Sequence, residues 1–418
     1  MLSLPDLGAL LLGLSALFAW INHRYVGLPH TIGLLVMGLA ASFVLILFEL
    51  AVPEEELYEA LSAALRQIDF NATLMEGMLS FLLFAGALHV DFDELRGRAW
   101  PVAVMASVGV VISTAVIGVG IWLASAPLGW PVPLTWALVF GALSSPTDPV
   151  AVLATLKVVK VPVALETEMK GESLFNDGVG VVVFSVLVAI AVGASGSGDA
   201  ATPTGIAHVF VVEAGGGALL GAVAGWVAYR MMREVDDFTI ETLITLALVT
   251  CTYGIAHRMH VSGPIAVVVA GLLVGHRGPK DAMSDQTQQH LFSFWTLLDE
   301  ILNSVLFLLI GLEVLVVNFG AHFATVAAVA IPLALLGRFA AVALPVQALR
   351  LRLRFKPGTI PLLTWGGLRG GISVALALSL PDSEVKSTLL AATYAVVVFT
   401  IVVQGATLAR VARRLFPA

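Results

Sequence analysis

Long apolar segments most constrain how this chain can fold. The sequence falls into blocks of about 17 to 25 mostly apolar residues, separated by short polar breaks. A helix of that length crosses a hydrocarbon layer about 30 Å thick, whereas a barrel strand would be shorter and would alternate polar with apolar residues. The composition is far from that of a soluble domain, since 58% of the residues are hydrophobic and 12% are charged. The sequence therefore predicts an all-α polytopic membrane protein.

Thirteen apolar segments are candidates for transmembrane helices. They cover about residues 7–22, 30–50, 71–90, 101–126, 133–156, 170–194, 207–232, 240–257, 262–276, 291–318, 321–349, 359–380 and 386–412.

The placement of Lys and Arg orients these predicted spans. With the N-terminus outside and the C-terminus cytoplasmic, most of the 22 Lys and Arg residues fall in loops on the inner side. The inner-side residues are Arg24, Arg96, Arg98, Lys157, Lys160, Lys170, Arg230, Arg233, Arg277, Lys280, Arg350, Arg352, Arg354, Lys356, Arg410, Arg413 and Arg414. We therefore expect an integral protein of the plasma (inner) membrane with that orientation.

The fifth span contains the segment S-S-P-T-D-P in an otherwise apolar helix. Pro146 and Pro149 each remove a backbone donor and clash with the preceding turn, so the helix is expected to be interrupted around Thr147 and Asp148. Unpaired backbone groups at membrane depth are tolerated only where they line a cavity enclosed by protein. Asp148 is therefore expected at a polar site inside the membrane.

The twelfth span contains W-G-G-L-R-G-G, in which four glycines surround Arg369 and break the helical pattern. It lies seven spans after the fifth, so the two broken segments cross the membrane in opposite directions. That arrangement is expected for two inverted repeats, of roughly spans 1 to 6 and 8 to 13, with the binding site at the broken helices.

The sixth span begins with a polar cluster of Glu172, Ser173, Asn176 and Asp177. Ser173 and Asp177 are four residues apart and share a helix face, and Glu172 and Asn176 share the adjacent one. Asp177 is about 10 Å into the predicted span at 1.5 Å per residue, which is close to mid-depth. A buried carboxylate there requires a partner or a function.

At these residues the sequence resembles the monovalent cation:proton antiporters of the NhaP and NHE type. The resemblance is carried by S-P-T-D-P, E-S-x-x-N-D-G and W-G-G-L-R-G-G, and it covers essentially the whole chain. It implies a homodimer of thirteen-helix chains, with a mobile core domain of about 71–194 and 291–380. A dimerisation domain would consist of about 1–50, 207–276 and the remaining helices.

The resemblance also implies roles for the polar residues of spans 5 and 6. Asp148 and Asp177 look like the ion-binding carboxylates, Ser173 and Thr147 like oxygen ligands, and Asn176 like the residue that orients the site. The Asn-Asp pair is similar to the electroneutral branch of the family.

Further residues are predicted around this site. The resemblance implies that Glu172 pairs with an Arg from a late helix, for which Arg338 is the first choice, with Arg369 next to the crossing point. Glu76 is the available acidic residue of the third span, where the family often has one. Glu300 of the tenth span is a candidate for lining the ion path, or alternatively for hydrogen bonding between helices.

Two nearby carboxylates in a low-dielectric site cannot comfortably both ionise, so protons and a cation compete for them. Carboxylate, hydroxyl and carbonyl oxygens suit Na⁺ (or Li⁺), which predicts a sodium/proton antiporter. Potassium/proton exchange is the alternative, and an intramembrane aspartyl protease is a distant one. We expect no cofactor and no nucleic-acid partner, with membrane lipids and a second copy of the chain as partners.

Overall fold

The computed structural model describes residues 4–51, 73–148, 152, 161–193, 203–315, 320, 322–350, 353 and 355–416. Among the inner-side basic residues predicted above, Lys157, Lys160, Arg352 and Arg354 lie outside these ranges.

Every regular element in those ranges is helical. In chain order the helices are α1 (Leu4–Ile21), α2 (His30–Ala51), α3 (Leu79–Leu88), α4 (Phe92–Gly97), α5 (Ala99–Ser125), α6 (Leu134–Leu143), α7 (Val163–Ala191), α8 (Pro203–Met232), α9 (Phe238–Arg258), α10 (Gly263–Asp281), α11 (Asp285–Glu313), α12 (Phe323–Leu349), α13 (Thr359–Trp365), α14 (Gly371–Leu378) and α15 (Lys386–Leu415). Wider π-helical turns follow α1 at Asn22–Val26, precede α3 at Thr73–Met78, and lie within α5 at Met105–Gly109 and within α15 at Thr400–Gly405.

The prediction of an all-α polytopic membrane protein is confirmed. In the described ranges, eight helices are long and apolar enough to cross a membrane. They are His30–Phe48, Ala99–Ser125, Ala164–Ala191, Val211–Met232, Phe238–Arg258, Asp285–Glu313, Phe323–Leu349 and Lys386–Leu415. The total of thirteen spans, the division into core and dimerisation domains and the direction of the termini stay predictions.

Helix α7 begins at Val163, seven residues before the predicted start of the sixth span. Its first turns carry charged residues, and the sequence pattern therefore predicted a loop there. Glu166 and Lys170 form an i,i+4 ion pair at 2.7 Å, and Glu168 pairs with Arg98 at 3.0 Å. Because these charges are neutralised within the protein, the helix extends through them.

Close helix contacts depend on glycines. On α8, Gly217, Gly221 and Gly225 are spaced four apart and face α10. A Cβ on Gly225 would lie 3.0 Å from the Cα of Ala270, and one on Gly221 would overlap the Ala266 carbonyl. The two helices therefore pack backbone against backbone.

Candidate ion-binding site

The first interruption follows α6, which ends at Leu143. Residues 146–148 have no regular secondary structure, so the carbonyls at the end of the helix lose their partners within the helix. The Arg369 Nη1 donates to the carbonyl of Ser145 at 3.0 Å and to that of Pro146 at 3.2 Å. This places a cation at the negative end of the α6 dipole.

The second interruption separates α13, which ends at Trp365, from α14, which begins at Gly371. The Asp148 backbone N–H donates to the Leu368 carbonyl at 2.8 Å, so the two interruptions touch. Arg369 is 1% exposed, and its backbone N–H donates to the Thr400 Oγ1 at 3.1 Å. The freed backbone groups of the two segments are thus satisfied by each other and by buried side chains.

The Asp148 carboxyl group lies against the start of α14. A Cβ on Gly370, which precedes α14, would lie 2.6 Å from the Asp148 Oδ2. Only a residue without a side chain leaves that space to the carboxylate. The N-terminal end of a helix stabilises negative charge, so this position suits an ionised Asp148.

Helix α7 holds the fifth-span segment through Asn176 and Ser173. The Asn176 Nδ2 donates to the Thr147 Oγ1 at 2.9 Å, and the Thr147 N–H donates to the Asn176 Oδ1 at 3.4 Å. The Ser173 hydroxyl donates to the Thr147 carbonyl. Thr147 is therefore fixed from three directions beside Asp148.

Asp177 lies one turn after Ser173 on α7 and is 6% exposed. Its carboxyl group is close enough to that of Asp148 for one charge to act on the other. The structure thus brings Thr147, Asp148, Ser173 and Asp177 close together, with Asp148 partly buried and the other three buried, and the group contains carboxylate, hydroxyl and carbonyl oxygens.

Glu172 and Arg338 form a buried ion pair next to this site. The Nη1 and Nη2 atoms of Arg338 both donate to the Glu172 carboxylate, Nη2 at 2.8 Å. The Arg338 side chain is 7% exposed and that of Glu172 is 3% exposed. The Arg338 Nε donates to the Leu363 carbonyl at 3.1 Å. This pair joins α7 to α12 and to α13, so it fixes the helix that carries Asp177.

Two predicted residues are not part of this cluster as described. The Glu300 side chain is exposed on α11, and its carbonyl accepts from the Ser304 hydroxyl at 2.6 Å. Glu76 belongs to the π-helical turn Thr73–Met78, and its side chain lies outside the described residues. In the ranges given above, no group of three or more His, Cys, Asp or Glu residues could hold a metal ion.

Sequence reasoning missed several residues that support the site. The Ser145 hydroxyl donates to the Gly141 carbonyl at 2.8 Å and lies 3.2 Å from the Thr114 Oγ1. Thr114 and Thr400 lie in apolar spans that contain other hydroxyl residues, so nothing in the local pattern distinguished them. The sequence showed Gly370 as part of the glycine-rich segment. Its contact with Asp148 arises only because the fifth-span and twelfth-span segments meet in the folded protein.

A helix that ends beside a break in another helix, next to carboxylates inside a helical membrane protein, is typical of the class of membrane transporters with discontinuous helices. The family described as sodium/hydrogen exchanger, transmembrane, matches residues 13–414. The chain is 44% identical to the Na(+)/H(+) antiporter NhaP of Pseudomonas aeruginosa, over 98% of this chain and 97% of that protein. It is 36% identical to the Na(+)/H(+) antiporter NhaH of Halobacillus dabanensis, over 93% of this chain and 92% of that protein. The chain therefore belongs to the sodium/hydrogen exchanger family, which confirms the resemblance.

A solved structure agrees with this fold. The sodium proton antiporter MjNhaP1 from Methanocaldococcus jannaschii, determined at pH 8, superposes with a TM-score of 0.75. The match covers 99% of this chain and 98% of that one at 20% identity.

Proposed function

We propose that this protein exchanges sodium, or lithium, for protons across the membrane at the Asp148–Asp177 site. One observation supports the proposal most strongly. The segment of Thr147 and Asp148 is hydrogen-bonded both to Leu368 and to Asn176 of α7, next to Asp177. The relatives named above are Na(+)/H(+) antiporters, and they match nearly the full length of this chain.

The ligand chemistry suits an alkali cation. Na⁺ is a hard cation that prefers oxygen ligands. Asp148 and Asp177 supply carboxylates, Ser173 and Thr147 supply hydroxyls, and the Thr147 carbonyl keeps a second lone pair beyond the one that Ser173 occupies. No cofactor takes part, and the cation is the transported substrate.

Neighbouring residues position these ligands. Asn176 fixes Thr147 through two hydrogen bonds, and the Glu172–Arg338 pair fixes α7 against α12. Arg369 neutralises the carbonyls at the end of α6, so the crossing holds its shape whether or not a cation is bound.

The exchange follows because a sodium ion and a proton compete for the same pair of carboxylates. With neither ion bound, two adjacent carboxylates in a low-dielectric site repel each other and are poorly solvated. A sodium ion or a proton relieves that repulsion, so the site changes its accessible side readily only when one of them is bound. We infer an electroneutral exchange of one cation for one proton, because the Asn176–Asp177 pair resembles that of the electroneutral branch of the family. The same resemblance implies a homodimer.

Potassium/proton exchange is the alternative, since the oxygen ligands alone do not set the size of the cavity. Proton flux in proteoliposomes with sodium, lithium and potassium, with and without a clamped membrane potential, distinguishes sodium/proton from potassium/proton exchange. The proposal expects flux with sodium and lithium that a clamped potential leaves unchanged. Membership in the exchanger family gives no support to the intramembrane protease.

Asp177→Asn tests the site directly. Without the second carboxylate, sodium and protons no longer compete, so ion-driven pH changes in proteoliposomes should fall to the level of empty vesicles. Asp382→Asn is the matched control, because Asp382 is fully exposed and pairs with Lys386 rather than with any residue of the site. Exchange that persists in a folded Asp177→Asn protein would refute the assignment.

A further inference from the structure

An apolar groove runs along the outer face of α8 and α10. Its volume is about 480 Å³, and it is lined by Ala222, Val223, Trp226, Leu273 and Arg277. Val223 and Trp226 are 54% and 52% exposed. The groove therefore opens to the outside of the protein at membrane depth, and it ends at a single cation.

The glycine contact explains why this groove exists. Gly221 and Gly225 bring α8 against the α10 backbone, so the residues beside the glycines flank a narrow seam. Ala222 leaves space there, whereas Val223 and Trp226 form one wall and Leu273 the other. The groove is a consequence of continuous helices held closer than their side chains would otherwise allow.

Two guanidinium groups gather at the charged end of the groove. Arg233 and Arg277 lie 5.9 Å and 5.8 Å from the centre of the Tyr229 ring, which is 5% exposed. Among the residues that the structure describes, neither arginine forms an ion pair. Two like charges held near one ring favour an anion beside them.

The other charges at this end have protein partners. Lys280 pairs with Asp93 at 2.8 Å, and Arg230 is 3.8 Å from Glu234. The Tyr229 hydroxyl donates to the Asp281 Oδ2 at 3.4 Å. Within the part of the chain that the structure describes, Arg277 is the one cation that lines the groove.

The position along the membrane selects the ligand. The positive-inside rule places Arg233 and Arg277 on the cytoplasmic side, where anionic lipid head groups attract basic residues. Tryptophan prefers the level of the head groups, and arginine extends its charge to that level from an apolar stem. Trp226 and Arg277 are one such pair, with the apolar groove beneath them.

We propose that the α8–α10 groove binds one anionic phospholipid of the cytoplasmic leaflet. An acyl chain lies along Val223 and Leu273, Trp226 covers the glycerol region, and Arg277 holds the phosphate with Arg233 beside it. The groove is a lipid site separate from the ion-binding site, and it does not depend on which cation the protein carries.

Native mass spectrometry of the delipidated protein tests this site. Phosphatidylglycerol and phosphatidylcholine with identical acyl chains are added in parallel, and inorganic phosphate is added alone in a third arm. The wild type should retain phosphatidylglycerol preferentially and should bind no phosphate. Arg277→Gln should reduce retention of phosphatidylglycerol about fivefold, as expected for one basic residue at a membrane surface.

Two controls separate charge from folding. Arg258→Gln removes an exposed arginine at the end of α9 and should leave retention unchanged, and Arg277→Lys keeps the charge and should preserve most of it. Val223→Trp fills the groove and should lower retention of both lipids. Equal retention by wild type and Arg277→Gln would overturn the proposal.

A second copy of the chain is the other occupant that this face could accept. Val223→Cys in a Cys251→Ser background tests it, because Cys251 is the one cysteine of the sequence. The lipid proposal expects no disulfide between chains at position 223. Efficient cross-linking there would show that the partner protomer covers the groove and would also overturn the proposal.

Discussion

At two places in this protein the backbones of separate segments approach each other closely, and different residues make each approach possible. At the candidate ion-binding site, the Asp148 N–H donates to the Leu368 carbonyl, and Arg369 donates to carbonyls left free after α6. At the α8–α10 contact, the backbones also touch, but both helices are continuous and glycines alone allow the approach. One contact is polar, and the other is apolar.

The difference shows where this protein accepts polar groups inside the membrane. Continuous helices satisfy their own backbone, so glycine packing needs no charge. Interrupted helices expose donors and acceptors, which Arg369, Thr400 and Asn176 must satisfy. That requirement concentrates buried polar groups at the interrupted contact.

The largest effect should come from the ion pair beside the interrupted contact. Arg338→Gln leaves the Glu172 carboxylate buried without its partner, and breaking a buried pair in this way costs about 3–5 kcal/mol. We expect the free energy of unfolding in detergent to fall by that amount. A Glu172→Leu, Arg338→Leu double variant should recover most of the loss, since neither member of the pair is then left charged without its partner.

An unchanged unfolding midpoint in Arg338→Gln would show that the pair does not hold α7 in place. In that case the polar contact, like the glycine contact, would not depend on a buried charge for its stability.

The glycine contact should respond to added volume rather than to charge. Gly221→Ala places a Cβ where the Ala266 carbonyl lies, and overpacking of this kind costs about 1–3 kcal/mol. Gly254→Ala on α9 has no atom within 4 Å of the new Cβ, so it should stabilise the helix by up to about 1 kcal/mol. Thermal unfolding of the two variants should move in opposite directions, and a shift of the same sign in both would contradict the packing argument.

The smallest effect is expected at the surface end of α10. The hydrogen bond from Lys280, together with its charge, holds the pKa of Asp93 below its ordinary value of 3.8. A lowered pKa stabilises the folded state above the ordinary value, and this contribution is lost as the pH falls through the lowered one. Lys280→Gln should therefore be slightly less stable than wild type at neutral pH.

That difference should disappear in acid. Thermal unfolding of both proteins, followed from neutral pH down through the pKa of Asp93, checks the prediction. Both side chains are more than half exposed, so water and salt screen the pair. A difference that grows on acidification would contradict this account.

The sequence predicted much of the fold because apolar length and the distribution of charge are local signals. Each predicted span contains at least part of a described helix. Errors occurred where charged residues are paired, as at Glu166, which pairs with Lys170 on the same helix, and Glu168, which pairs with Arg98 of another segment. Helix α11 likewise starts early, at Asp285, because the Ser284 side chain accepts from the Thr287 N–H.

The residues of the site could be found from the sequence because prolines, glycines and charges are unusual in a membrane span. Their arrangement in space could not be predicted from the sequence. The contact between Asp148 and Leu368, and the space that Gly370 leaves for a carboxylate, exist only once two distant segments cross. The roles assigned to Asp148, Asp177, Ser173 and Thr147 stay predictions, as do those of Glu76 and Glu300.

Calorimetry of sodium binding to the purified protein, in buffers with different ionisation enthalpies, tests most directly whether cations and protons share these carboxylates. The account predicts release of about one proton for each sodium bound near the pH at which the pair titrates, affinity that weakens as the pH falls, and no such release in Asp177→Asn. Sodium binding of constant affinity across that pH range, without proton release, would contradict it.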